Sequence, residues 1–420
     1  MVSRLMAMLA ERRTPAADDH VDVGRLQRER HARLQAEMAR QDVEVAVLLH
    51  GGNVSYATGL PTRAVDVTHA SFERPVAVVV AGEERPHLLW DPRDTDGLLA
   101  STHPTVWPEL DEGAALLART LAEITGSGGA GLAGRRVAVD VQTGAMLRAG
   151  VLDSATLVDA VPLMGAAKLT KTGDELACIA EAQRRNEAAM VAAQQACRPG
   201  ATRGQVAGAF LAALRDLDVE ANMIDPIFQP MPRSVADGPR TTTGDVAFPT
   251  GLGDPVFADG DLVWVDAGID HLGYASDFGR TWIVGRDPEP PERRLFDRWC
   301  DVMTAVLELL APGVTSGDLG RAATAAAGSS GGAPGDRPWL PHFYLAHGVG
   351  VESAEMPLIG TDLGPRFDDG FVLAPGMVLV LEPVAWEDGV GGYRAEEIVA
   401  VTPDGWRHLG GGHPYEPFAA

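Results

Sequence analysis

Five residues carry side chains whose types and spacing suit the binding of divalent metal ions: Asp266, Asp277, His347, Glu382 and Glu396. Residues 261–269 and 273–284 read as two strands joined by a tight turn at 270–273. With the turn centred between His271 and Leu272, Asp266 and Asp277 face each other across the hairpin. Carboxylates directly opposite one another repel and destabilise a sheet, whereas a bound divalent cation reverses the sign of that interaction. Residues 377–383 and 393–401 repeat the arrangement, and a turn centred on Gly389 sets Glu382 against Glu396. Between the hairpins lies His347-Gly-Val-Gly350, whose glycines allow the backbone close to a ligand. Four carboxylates and one imidazole suit Mn, Fe, Co or Zn in a two-metal site. Any one of these acids alone reads as a solvated surface charge, but two opposed pairs within apolar strands do not.

The elements around these residues must hold them in place. Helices are expected over about 174–197, 202–217 and 292–310, with Thr202 and Gln205 at capping-box spacing. Residues 199–206 and 312–319 share Pro, Gly, Thr and Gly at matching positions. Each copy closes a long helix and opens another, so the region reads as two similar α+β halves. Upstream, a helical pattern over 23–40 and apolar runs at 43–49, 75–81 and 137–139 suggest a small α/β domain. The expected division is a tail without periodicity over 1–20, an N-terminal domain over 21–167, and the duplicated domain over 168–420.

Composition narrows the partners. The chain has 420 residues, 45% of them hydrophobic, and 58 acidic against 35 basic side chains give a net charge of −23. That charge repels phosphate backbones and anionic lipid, which argues against nucleic acid and membrane surfaces. Three scattered cysteines make no disulfide framework and point to a reducing compartment, hence the cytoplasm.

The constellation resembles the pita-bread superfamily of methionine aminopeptidases, aminopeptidase P, prolidase and creatinase. The shared pattern is Asp266, Asp277 eleven residues later, His347-Gly-Val-Gly350, Glu382 and Glu396, with Arg280-Thr281 and Arg394 in their usual places. Asn53-Val-Ser-Tyr-Ala-Thr-Gly59 resembles the N-terminal domain of the creatinase and prolidase branch. The resemblance implies an α+β protein, with a small creatinase-like α/β domain ahead of a pseudo-twofold pita-bread catalytic domain. It also implies two divalent transition-metal ions. Asp266 would hold one and His347 the other, Asp277 and Glu396 would bridge them, and Glu382 would ligate and shuttle a proton. A homodimer is implied as well, with Tyr56 reaching the active site of a second subunit and Arg394 near the substrate.

Two departures bear on the reaction. Peptidases of this fold carry a histidine about 18 residues before the first Asp, where residues 246–250 here hold Phe248 and no imidazole. They also carry His-Glu after the ligand histidine, where this chain has Ala354-Glu355. Both imidazoles serve the oxyanion of the scissile amide, and losing one such donor costs on the order of 10²–10³ in rate. The expectation is therefore a dinuclear metal-dependent hydrolase that cleaves a C–N bond in a small molecule or short peptide, outside conventional proline-peptide hydrolysis. Glu352 and Glu355 are candidate replacement acids or bases, Glu355 alternatively capping a turn or pairing with an arginine, and Phe248 a candidate substrate contact. A metal-dependent lyase of the dimethylsulfoniopropionate-cleaving kind is an alternative through Phe248, Gly238-Pro-Arg240 and Glu355-Met-Pro357. Ser353 and Gly268 depart from that pattern where it carries acids. A non-catalytic binding protein is the third alternative, and the intact ligand set argues against it.

Overall fold

The structure is a computed structural model that describes residues 2–14, 21–60, 74–90, 97–126, 131–219, 222–234, 253–328, 345–360 and 370–419. The chain divides into two compact units, one of residues 20–168 with 172–174, the other of 1–19, 169–171 and 175–420. Among the described residues no helix is long and apolar enough to cross a membrane.

The first unit is built on a six-stranded mixed sheet. Its centre is Val45–Leu48, which pairs antiparallel with Val76–Val80 and parallel with Arg136–Val139. The first two runs, of valine, leucine and alanine, are buried on both faces, which is why they read as continuous apolar segments. The helix Val23–Arg40 starts at Asp22, whose side chain accepts from the Arg25 amide.

In the second unit, the long helices Gly173–Ala196 and Pro290–Leu309 back two separate sheets. The internal repeat is visible bond by bond. Gly200 and Gly313 both take left-handed backbone, at φ +82° and +88°. The Gly200 amide donates to the Phe257 carbonyl, and Phe257 returns a bond to Ala201. Gly313, Leu373 and Val314 repeat that pair. Thr202 then caps the helix Arg203–Asp216 with both capping-box bonds formed. Thr315 stands likewise before Ser316–Gly328, exchanging bonds with Asp318.

The N-terminal residues differ from the expected tail. Val2–Glu11 is a helix that packs Leu5 and Leu9 into the apolar core beside Pro290–Leu309. Beyond it, Arg13 bridges His408 in parallel register, and the Thr14 hydroxyl donates to the His408 carbonyl at 2.7 Å. The sequence hides this because the partner surface lies some 290 positions downstream.

Candidate metal centre

Two hairpins position the four candidate acids. In the first, Leu262–His271 pairs with Tyr274–Ala275 and Phe278–Ile283, and the turn residues Leu272 and Gly273 both have positive φ. The turn is therefore centred one residue later than expected, and Asp266 lies opposite Gly279 instead of Asp277. A one-residue shift of the centre leaves side-chain parity unchanged, so the two acids move from opposed to diagonal while sharing a face. The ladder is interrupted at Ser276-Asp277, where the Ser276 hydroxyl accepts from the Ile269 amide.

In the second hairpin the register is the expected one. Leu381 pairs with Glu397 on one side and Val384 with Arg394 on the other, so Glu382 and Glu396 oppose each other in the gap between two ladders. The hairpins are stitched together directly. The Glu396 amide donates to the Gly279 carbonyl at 3.0 Å. The Thr281 hydroxyl donates to the Arg394 carbonyl and accepts from its amide, each at 2.9 Å.

Glycine at 279 is required by this arrangement. A Cβ there would lie 2.5 Å from the Glu396 side-chain carboxyl carbon. Glu396 thus occupies the space that any other residue facing Asp266 would fill.

The result is a buried acidic cluster. Asp266, Asp277 and Glu396 each offer an oxygen within 4.8 Å of the others. His347 Nε2 lies 3.4 Å from Asp277 and 3.1 Å from Glu382. Its Nδ1 lies 2.9 Å from the Gly348 carbonyl, which as acceptor fixes the tautomer and leaves Nε2 facing the carboxylates. Arg394 pairs with Asp266 at 3.0 Å and also with Glu382 and Glu396, and its guanidinium stacks over Trp264.

The charges do not balance within this set. Four carboxylates face Arg394 and at most one imidazolium, in a site where Glu382, Glu396 and Asp277 are almost wholly buried. Burial pushes the Glu396 carboxyl well up, opposed by Arg394 and reinforced by Asp277, Asp266 and Glu382. Asp266 is raised by burial too, with Arg394 opposing and Asp277 adding. Glu382 remains low because Arg394 and His347 outweigh its burial. Asp266 Oδ1, Asp277 Oδ1 and Glu396 Oε2 are buried and make no hydrogen bond. Buried acceptors of that kind call for an ion, and an oxygen-rich set with one imidazole fits a first-row divalent cation.

Other expected site residues are placed differently. Glu355 Oε2 accepts from Lys171 Nζ at 2.8 Å, both side chains being nearly inaccessible, and Oε1 accepts from the Glu352 amide. Glu355 is thus an anchor for the turn after His347, with lysine in the place where an arginine was the alternative. Glu352 is half-buried, and its carbonyl accepts from Gly350 in the same turn. Tyr56 is buried in the first unit with its hydroxyl donating to the Ala167 carbonyl. Arg394 is equally enclosed and lies as a counter-charge against Asp266, Glu382 and Glu396. Phe248 and Gly238-Pro-Arg240 lie outside the described residues. Sequence reasoning missed Lys171 and Gly279, and neither has a local signal, since each acts on a residue more than 100 positions away.

Comparison with known proteins bears on the family and the fold. Residues 177–403 match Metallopeptidase family M24, and residues 30–166 match the Creatinase/Prolidase N-terminal domain. An Xaa-Pro dipeptidase of Pyrococcus furiosus is 29% identical over 243 residues, 58% of this chain and 63% of that protein, so the match spans less than two thirds of its length. The Xaa-Pro aminopeptidase of Escherichia coli is 26% identical over 61% of this chain and 59% of its own. Among solved structures, the Pyrococcus furiosus prolidase superposes with a TM-score of 0.68 at 21% identity, covering 89% of this chain and 98% of that one. Dipeptidase PepE from Mycobacterium ulcerans gives 0.71 at 21% identity over 95% and 98%.

Proposed function

We propose a function from one premise: the chain belongs to metallopeptidase family M24, with a creatinase-like N-terminal domain ahead of the pita-bread fold. The protein is read as a dinuclear metal-dependent hydrolase acting on the C–N bond of a small amide or short peptide. The observation that carries this reading is the buried cluster of Asp266, Asp277 and Glu396, whose unbonded oxygens converge. Asp266, Asp277, His347, Glu382 and Glu396 would hold two divalent ions of the Mn, Fe, Co or Zn type. Such ions, when bound, polarise the scissile carbonyl and lower the pKa of water.

The protein's own groups do the rest. His347 is oriented by the Gly348 carbonyl and offers Nε2. Arg394 compensates three of the acids and, with His347, holds the Glu382 carboxyl below its ordinary range, and Glu382 would receive a proton and return it to the leaving nitrogen. Ala354 offers no imidazole, and Glu355 is committed to Lys171, so neither replaces the oxyanion donor. Glu352 is a further acid in the same turn. Rates on Xaa-Pro dipeptides are accordingly expected to fall roughly 10²–10³ below those of a conventional member. The three free cysteines support a cytoplasmic setting, and the pita-bread resemblance supports a homodimer.

The test is a substrate panel with Mn2+-loaded protein, comparing Xaa-Pro dipeptides with other small amides. Turnover of a non-proline amide, abolished by Asp277→Asn, is the expected result. Xaa-Pro hydrolysis at ordinary peptidase rates would contradict the substrate assignment.

A further inference from the structure

Arg280 stands outside the ligand set, yet it touches both hairpins and the C-terminal tail. Nη1 donates to the carbonyls of Gly279 at 2.9 Å and Glu396 at 2.7 Å. Nη2 donates to Glu397 Oε1 at 2.9 Å and to the His413 carbonyl at 3.1 Å. The guanidinium is stacked between Phe278 and Tyr415, 5.0 and 4.5 Å from the ring centroids. Glu397, which balances its charge, is held in turn by His408 at 2.6 Å and by the Tyr415 hydroxyl.

These contacts converge on two carbonyls with special placement. Gly279 is the residue over which the Glu396 side chain lies, and the Glu396 carbonyl belongs to a metal-ligand candidate itself. Fixing both carbonyls from one planar group fixes the backbone from which Glu396 projects. It also fixes the strand that begins directly after Asp277. An ammonium cannot reproduce this, because its donors radiate from one atom while the guanidinium spreads four bonds across a rigid fork.

We infer that Arg280 is a positioning residue for the metal centre, clamping the hairpins that carry Asp277 and Glu396, and that the C-terminal tail at His413 and Tyr415 braces it. The inference rests on the two-metal reading above and assigns the site's geometry to residues that touch no substrate.

The experiment is Mn2+ titration by calorimetry on the full chain, paired with the visible spectrum of the Co2+-loaded protein. Arg280→Lys is expected to weaken Mn2+ binding about 10–100-fold and to alter the Co2+ bands. Leu5→Ala, a core change in the same unit, serves as the destabilised control and should leave both readouts unchanged. If Arg280→Lys does not fold, Tyr415→Leu removes the ring and its hydroxyl's bond to Glu397 while leaving the guanidinium, and is expected to weaken Mn2+ binding and alter the Co2+ bands in the same direction. Wild-type affinity and spectrum in the Arg280→Lys or Tyr415→Leu protein would overturn the inference alone. The same holds if Leu5→Ala loses as much affinity. Failure of wild-type protein to bind Mn2+ would overturn the metal reading and this inference together.

Discussion

Lys171 and Glu355 stand 184 residues apart and meet as a buried ion pair beneath the turn that follows His347. Breaking such a pair strands one charge in a low-dielectric interior, so Lys171→Met and Glu355→Gln should each destabilise by about 3–5 kcal/mol. Urea denaturation measures this, and the double variant should recover part of the loss. A Glu355→Gln protein of normal stability with abolished turnover would restore Glu355 as a catalytic acid. Gly279→Ala is the complementary probe, because its Cβ would lie within 2.7 Å of the Glu396 carboxylate. Roughly tenfold or greater loss of Mn2+ affinity is expected with the fold retained, read by titration and circular dichroism. The four candidate acids were legible in sequence because two local hairpins present them. Lys171, Gly279 and Arg280's reach were not, because each depends on contacts between segments far apart in the chain.

At the scale of elements, the two hairpins show what register reading depends on. The second turned where Gly389, with φ +85°, marks it, and the pairing of Glu382 with Glu396 followed. The first turned on Leu272, a leucine with φ +53°, while Asp270 and His271, better turn formers, continue the strand. The N-terminal helix was invisible for a different reason. Its apolar stripe is short, and it is stabilised by packing on a helix nearly 300 residues later rather than by propensity. Leu5→Ala should therefore cost about 2–5 kcal/mol in urea denaturation, as a change within a packed core and not in a frayed end. An unchanged midpoint would mean the arm is not docked in solution.

For the whole molecule, the acidic surface implied by a net charge of −23 says little about substrate, but one buried histidine makes stability depend on pH. Burial, then the nearby Arg280, lowers His413 from 6.5 to about 4. The unfolded chain binds that proton first, so stability is full above pH 6.5 and is lost as pH falls through 4. About 2 kcal/mol should disappear between pH 7 and pH 5 from this group, and His413→Gln should flatten that portion of the profile. The duplicated architecture was readable from the Pro-Gly-x-Thr repeat, since the same cap and left-handed glycine recur in both halves. The measurement closest to the central claim is the metal content of the purified chain after equilibration with Mn2+ and removal of excess. About two ions per chain are expected in the wild type, with loss of at least one in both Asp277→Asn and Glu396→Gln. A wild-type chain that retains none, or variants that retain the full complement, would contradict it.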